Sequence, residues 1–324
     1  MSIVSTRRPR IVVVGSIVFD CVAKADRLPR KGETVLGRSF GMFSGGKGAN
    51  QAVQAARLGA EVYMVGRVGQ DSLADHVLKN LKAGGVDTRY IKQDPSVATG
   101  ACGIHVDAAG DNTIVIVPEA NLACSPEDVD AAREVLASAD ILLCQFEIAM
   151  PTVAYALDVA AELGVRVVLN PAPAQPASTG LCSRATVLTP NETEAELLAG
   201  VPLPSGESNA RASSDWEIEV SSRLLGMGPQ AVVITLGNRG AYLANGAGGR
   251  LIPAYQVSPV DVTAAGDAFN GALAVAMAES REMTQAIAFA NAAGALATTR
   301  AGSQPSLATR REVEDFLRNA VVVS

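Results

Sequence analysis

Histidine is almost missing from this chain: His76 and His105 are the only two in 324 residues, and they lie far apart. Cysteine is sparse too, with five scattered residues (Cys21, Cys102, Cys124, Cys144, Cys182) and no CxxC pair. These scarcities argue against a zinc site or a Cys/His nucleophile and for buried free thiols in a reducing compartment. No apolar run approaches the roughly 20 residues that span a bilayer. No segment clusters Lys and Arg, and the net charge is -6, which argues against nucleic acid and membrane surfaces as partners. Small anions remain allowed, because local backbone dipoles overrule net charge.

Arg7, Arg8 and Arg10 precede the apolar residues 11–14, the order found in a signal sequence. That run stops at Gly15, Asp20 follows, and no small-residue cleavage site appears, so a short buried strand and a cytoplasmic location are expected. Asn191-Glu192-Thr193 spells a glycosylation sequon without a secretion signal to accompany it.

What the chain does have is length and a hydrophobic content of 48%, enough for a substantial core. Short β-rich apolar runs at 11–14, 62–65, 141–144, 165–169, 185–188 and 231–235 read as buried strands. Helical stretches at 49–58, 73–81, 129–136 and 153–163 lie between them, and 266–278, 284–299 and 310–317 are helical again. Such alternation predicts a doubly wound α/β fold, mostly parallel, with helices on both faces, over 1–324 as one domain. Two stretches alternate polar with apolar residues around turn signals, about 20–43 and 97–118, and read as antiparallel ribbons. They are expected to pair into a small β-sheet lid over the ligand site, its free face favouring a homodimer. Residues 201–214 read as a surface loop.

The most informative segment is Asp261-Val262-Thr263-Ala264-Ala265-Gly266-Asp267-Ala268-Phe269-Asn270-Gly271. Small residues at Ala264, Ala265 and Gly266 let the backbone enter a helix with its N–H groups free to hold an anion such as a γ-phosphate. Asp267 falls in the first turn, where a carboxylate can take a proton from an attacking hydroxyl. Alone, it equally serves to complement the helix dipole. The segment Ser44-Gly45-Gly46-Lys47-Gly48-Ala49-Asn50-Gln51 nearly spells a Walker A loop, but Gly48 stands where that loop needs a magnesium-binding hydroxyl. Its glycines instead permit close approach of a polar ligand, with Lys47 and Asn50 as donors, or simply a glycine-rich turn. Asp20 and Glu147 each follow an apolar strand segment, where open α/β sheets bind ligands and where solvated turns also occur. Asn191, Glu192 and Glu194 start a helix after Pro190, and Thr235, Gly237 and Gly240 follow a strand as either a nucleotide-lining or a tight turn.

In combination and order, these segments resemble the ribokinase family of carbohydrate kinases from residue 11 to about 317. The resemblance rests on Gly45-Gly46-Lys47-Gly48-Ala49-Asn50-Gln51-Ala52, on Asp261-x-Thr263-x-Ala265-Gly266-Asp267-x-Phe269-x-Gly271, and on Asn170-Pro171-Ala172-Pro173-Ala174, Asn191 to Glu196 and Thr235-Leu236-Gly237 between them. It implies transfer of the ATP γ-phosphoryl group to O5 of D-ribose, with Asp267 as base and the amides of Ala264 to Asp267 as anion hole. It places Asp20, Gly46, Lys47, Asn50 and Glu147 on the sugar, and Asn191 and Glu194 at the phosphate and Mg²⁺ region. It places Thr235, Gly237 and Gly240 along the nucleotide, and Asn291 near adenine. It further implies a K⁺ site from Asp261, Thr263, Ala297, Arg300, Gly302 and Ser306, several of them through backbone carbonyls, and a dimer shared through the lid.

One position departs: Val18 stands where some members carry Asn, two residues before Asp20. The competing readings are a kinase of the same fold for deoxyribose, a ketohexose or a nucleoside, and a sugar-binding regulator without catalysis. A Rossmann dehydrogenase is disfavoured because Val14-Gly15-Ser16 is not followed by the G-x-G-x-x-G it requires.

Overall fold

The computed structural model describes residues 7–204 and 210–322. Its strands are β1 (Arg10–Val14), β2 (Val18–Ala25), β3 (Gly37–Gly45), β4 (Glu61–Gly69), β5 (Val86–Asp94), β6 (Ala101–Val106), β7 (Asn112–Val117), β8 (Ile141–Cys144), β9 (Arg166–Leu169), β10 (Val187–Leu188), β11 (Ala231–Thr235), β12 (Ala241–Asn245) and β13 (Gly248–Ile252). Nine of them form one sheet in the order β13-β12-β11-β10-β9-β8-β1-β4-β5. Pairing is parallel from β11 through to β5 and antiparallel in the β11-β12-β13 corner.

The apolar runs are unbroken because both faces of this sheet are covered. Within β1, Ile11 and Val13 face the helices Lys47–Arg57, Ala265–Ala278 and Met283–Thr298, while Val12 and Val14 face the layer of Met150–Leu163. After β1 the chain builds outward through β4 and β5, then returns to place β8 on the other side of β1. The direction of winding reverses there, and a crevice opens beyond the carboxyl ends of β1 and β8.

The second sheet has four strands in the order β3-β2-β6-β7. Each expected ribbon is antiparallel, but β2 joins β6 in parallel. Asp20 lies on β2, opposite Phe43 of β3 and Cys102 of β6, and not at the end of the first parallel strand. The chain turns at 15–17 before it resumes as a strand of the smaller sheet.

Other differences have local causes. The helix expected at 129–136 is divided into Pro126–Ala131 and Arg133–Leu136, because Ala132 leaves helical geometry at ψ 6°. The expected strand at 185–188 shortens to β10. Strands β5, β12 and β13 were not expected; β5 and β13 are edges, and their exposed residues weaken the apolar signature. Of the expected loop, 201–204 is irregular, 205–209 lies outside the described residues, and from 210 onward the chain is in the helix Ala210–Leu225. All five cysteines are free. Among the described residues no helix is long and apolar enough to cross a membrane.

Gly48 explains why the Walker-like spacing fails physically. It backs onto the turn after β1, and a Cβ there would stand 2.6 Å from Ser16 N and 2.7 Å from Gly15 C. Both obstacles are backbone, so Gly48→Ala should cost about 1–3 kcal/mol by overpacking. Denaturant unfolding checks this; an unchanged midpoint would contradict the packing.

Candidate active site

The crevice beyond β1 and β8 is floored by the start of the Lys47–Arg57 helix. Gly46 enters it at φ 87°, a conformation open to glycine, and Ser16 O receives the Ala49 N–H at 2.9 Å. Glu147 is fixed from two sides, by the Ser16 hydroxyl at 2.5 Å and by the Lys47 N–H at 3.0 Å. Burial opposes the charge on the Lys47 ammonium, but Asp267, Glu147 and Glu194 outweigh it and raise its pKa.

Asp267 is buried in the first turn of the Ala265–Ala278 helix. Its Oδ2 accepts from Asn50 Nδ2 at 2.9 Å, and its Oδ1 from Gln51 Nε2 at 3.0 Å. Asn50 Oδ1 is buried without a partner, an acceptor waiting at the same place. Ala264, just before the helix, sits at φ 61°, a left-handed geometry that costs a non-glycine residue roughly 1–2 kcal/mol. From that turn the N–H groups of Ala264, Gly266 and Asp267 find no acceptor among the described residues. Of the amides expected to hold an anion, that of Ala265 donates to Val262 O at 3.3 Å.

Asp20 faces this group from the small sheet. Burial, followed by the charge of Glu147, pushes its carboxyl up to about 7, with Asp267 adding and the Ser303 hydroxyl, 3.5 Å away, opposing. Gly45 is required beside it, since a Cβ would lie 2.1 Å from Asp20 Oδ2. Asp20, Gly46, Lys47, Asn50, Glu147 and Asp267 therefore cluster at one place, with a single ammonium among three carboxylates.

Asn191 and Glu194 form a reciprocal cap on the helix Glu192–Ala199: Asn191 Oδ1 accepts the Glu194 N–H, and Glu194 Oε2 accepts the Asn191 N–H, each at 2.8 Å. Burial raises the Glu194 pKa against that hydrogen bond and against Lys47. Thr235 bridges to Asn191 in parallel register and donates its N–H to Pro190 O at 2.9 Å. Gly237 and Gly240 bound the next turn at φ 56° and 103°. A Cβ on Gly240 would stand 2.2 Å from Ile252 O, and Asn291 Nδ2 donates to the same carbonyl and to Pro253 O, each at 3.1 Å. Asn291 thus acts on the backbone that walls this side.

At the helix entry, Asp261 accepts the N–H groups of Thr263 and Gly302, each at 2.9 Å. Burial works against its ionisation, but these hydrogen bonds win and lower its pKa. The Ala297 side chain has no ligating atom, the Arg300 guanidinium is a cation turned to Glu312, and the Ser306 hydroxyl donates to Ser303 O at 2.7 Å, so Ala297 and Arg300 offer a cation only their backbone.

Gln51, Gln145, Asn170, Ser16 and Ser303 also shape the site, and the sequence reading gave them no role. The available signal was a polar residue directly after an apolar strand, as with Gln145 after Ile-Leu-Leu-Cys.

Residues 8–310 match the sequence profile of the pfkB family of carbohydrate kinases. The chain is 42% identical over 307 residues to ribokinase of Bacillus subtilis, covering 95% of this chain and 99% of that one. It is 33% identical over 308 residues to deoxyribokinase of Salmonella typhimurium, covering 95% and 98%. It superimposes with a TM-score of 0.84 on the structure of Arabidopsis thaliana ribokinase complexed with ribose and ATP, at 31% identity and with 96% and 99% covered.

A carboxyl raised in the folded state from 3.8 to about 7 contributes stability that is complete below the lower value and lost as pH rises through the upper one. The ligand-free Asp20→Asn variant should therefore be more stable than the parent at pH 8, with the gap closing as pH falls toward 4. Denaturant unfolding across this range reads it; a gap independent of pH would contradict the environment assigned to Asp20.

Proposed function

The chain belongs to the pfkB family of carbohydrate kinases, and on that basis we propose that it phosphorylates D-ribose at O5 with ATP, using Asp267 as the base. The observation that carries the assignment is the Asp267 carboxylate, gripped by Asn50 and Gln51 beside the unbonded amides of Gly266 and Asp267.

Phosphoryl transfer asks mainly for positioning and for stabilisation of charge. Asp20, Lys47, Asn50, Glu147 and the Gly46 backbone bind the sugar hydroxyls and direct one of them at Asp267. That carboxylate accepts the hydroxyl proton as the oxygen attacks phosphorus. The free N–H groups at the helix start receive the negative charge of the moving group, reinforced by the helix dipole. The nucleotide lies along Thr235, Gly237 and Gly240, with its base toward the wall fastened by Asn291. The four-stranded sheet acts as a lid that excludes water, and its exposed Phe40, Met42 and Val115 favour a lid-to-lid homodimer.

Among the described residues no cluster of three or more His, Cys, Asp or Glu offers a protein cage for a metal. Mg²⁺ would be carried on the nucleotide phosphates beside Glu194 and Asn191, where it would neutralise phosphate charge. The ionised carboxylate of Asp261, with Thr263 beside it, would suit K⁺, and backbone carbonyls of Ala297, Arg300, Gly302 and Ser306 would supply further oxygens. Such an ion would stiffen the loop that carries the free amides. A reducing, cytoplasmic setting agrees with the five free thiols.

A second reading, preference for 2-deoxyribose, is favoured by Val18. It is buried on β2 two residues from Asp20, on the same face of the strand, and brings no hydrogen-bonding group there. A missing hydroxyl partner changes discrimination by large factors.

The test measures ADP release with Mg²⁺ across ribose, 2-deoxyribose, ketohexoses and nucleosides, with and without K⁺. Ribose should give the highest kcat/KM, with stimulation by K⁺, and Asp267→Asn should lose about 10²-fold or more in turnover. A marked preference for another acceptor would displace ribose, and near-parental turnover in Asp267→Asn would remove the base.

A further inference from the structure

Gln145 is fully buried where β8 ends, and none of the sugar or nucleotide contacts above uses it. Its Nε2 donates to Gln51 Oε1 at 2.6 Å. Gln51, also fully buried, donates from Nε2 both to Asp267 Oδ1 at 3.0 Å and to Asn170 Oδ1 at 3.1 Å. Asn170 is itself oriented, because its Nδ2 donates to Thr189 O at 2.9 Å.

An amide side chain can present either N–H or oxygen to a neighbour, and an ionised carboxylate only accepts. Gln51 must therefore keep its nitrogen toward Asp267, which leaves its oxygen pointing into a dry strand end. Gln145 supplies the donor that this oxygen needs. Its own Oε1 has no partner and lies so close to Gly15 that a Cβ there would stand 2.1 Å away. An amide with one half unsatisfied is costly to bury. The half that is satisfied fixes which way Gln51 faces.

We infer that Gln145 is a positioning residue for phosphoryl transfer, acting through Gln51 to hold the Asp267 carboxylate toward the acceptor hydroxyl. This inference rests on the reading of Asp267 as the base. Gln145 touches neither sugar nor nucleotide, so its loss acts on turnover and leaves sugar binding alone. The effect passes through a single neighbour, so it vanishes once that neighbour is gone.

The experiment compares Gln145→Met, Gln51→Met and the double variant for kcat, KM of ribose and melting temperature, with Asp267→Asn alongside. Gln145→Met should lower kcat by about 10-fold or more, the scale of a slightly misplaced catalytic group, with KM for ribose unchanged. Its melting temperature should change little, because the orphaned Gln145 Oε1 leaves as Gln51 Oε1 becomes an orphan in its place. The double variant should be no slower than Gln51→Met alone. Should Gln145→Met fail to fold, Gln145→Leu, which also lacks any donor for Gln51 Oε1, carries the same expectation. Parental kcat, a loss placed in KM, or multiplying losses in the double variant would each overturn the positioning role. If Asp267→Asn also keeps its turnover, the base assignment falls as well; if that variant is inactive while Gln145→Met is normal, only the positioning role falls.

Discussion

A carboxylate buried next to two other carboxylates is unstable unless donors hold it, and this constraint organises the pocket. Asn50 and Gln51 each place one amide on one oxygen of Asp267. Both come from the helix Lys47–Arg57, more than two hundred residues earlier in the chain, so the held Asp267 carboxylate, the proposed base, exists only when two distant helix starts are brought together. Their meeting is prepared by glycines: Gly48 lets the first helix press against the turn after β1, and Gly271 lets the second pass within 2.7 Å (measured to an added Cβ) of Gln51 O. The site is therefore a packing consequence of the α/β core and stands on rigid elements.

The same crowding makes the pocket responsive to its contents. Asp20 pays for burial beside Glu147 and Asp267 with a raised pKa, and the one ammonium among them, Lys47, is stabilised by all three neighbouring acids it senses. Asp20 reaches the others from β2 of the small sheet, so under the proposed reading closure of that sheet would also complete the sugar site. The loop that carries Gly302 and Ser303 touches Asp261 on one side and Asp20 on the other, which links the helix entry to the sugar side through two adjacent residues.

Much of this was legible in the sequence because it was periodic or punctuated. Buried parallel strands such as β1, β8 and β11 read as continuous apolar runs, and glycines before the helices marked both halves of the site. What escaped had weak local signals. Edge strands β5 and β13 are half exposed, so their pattern was indistinct. Asp20 was seen as a ligand-facing acid, yet its strand could not be separated from β1 by hydropathy, because the intervening Gly15, Ser16 and Ile17 are buried as well. The roles of Gln51, Gln145 and Asn170 are long-range pairings between amides, which no local spacing encodes. Which amides stay free at this helix start depends on where the Ala265 N–H goes, a matter of backbone geometry at Ala264.

The most direct test of the account is a crystal structure with ribose, ADP and aluminium fluoride, a mimic of the moving phosphoryl group. The account predicts the fluoride ligands within hydrogen-bonding distance of the Gly266 and Asp267 N–H groups, and a ribose hydroxyl between Asp267 and the aluminium. A mimic seated away from those amides, or a sugar whose hydroxyl turns from Asp267, would contradict it.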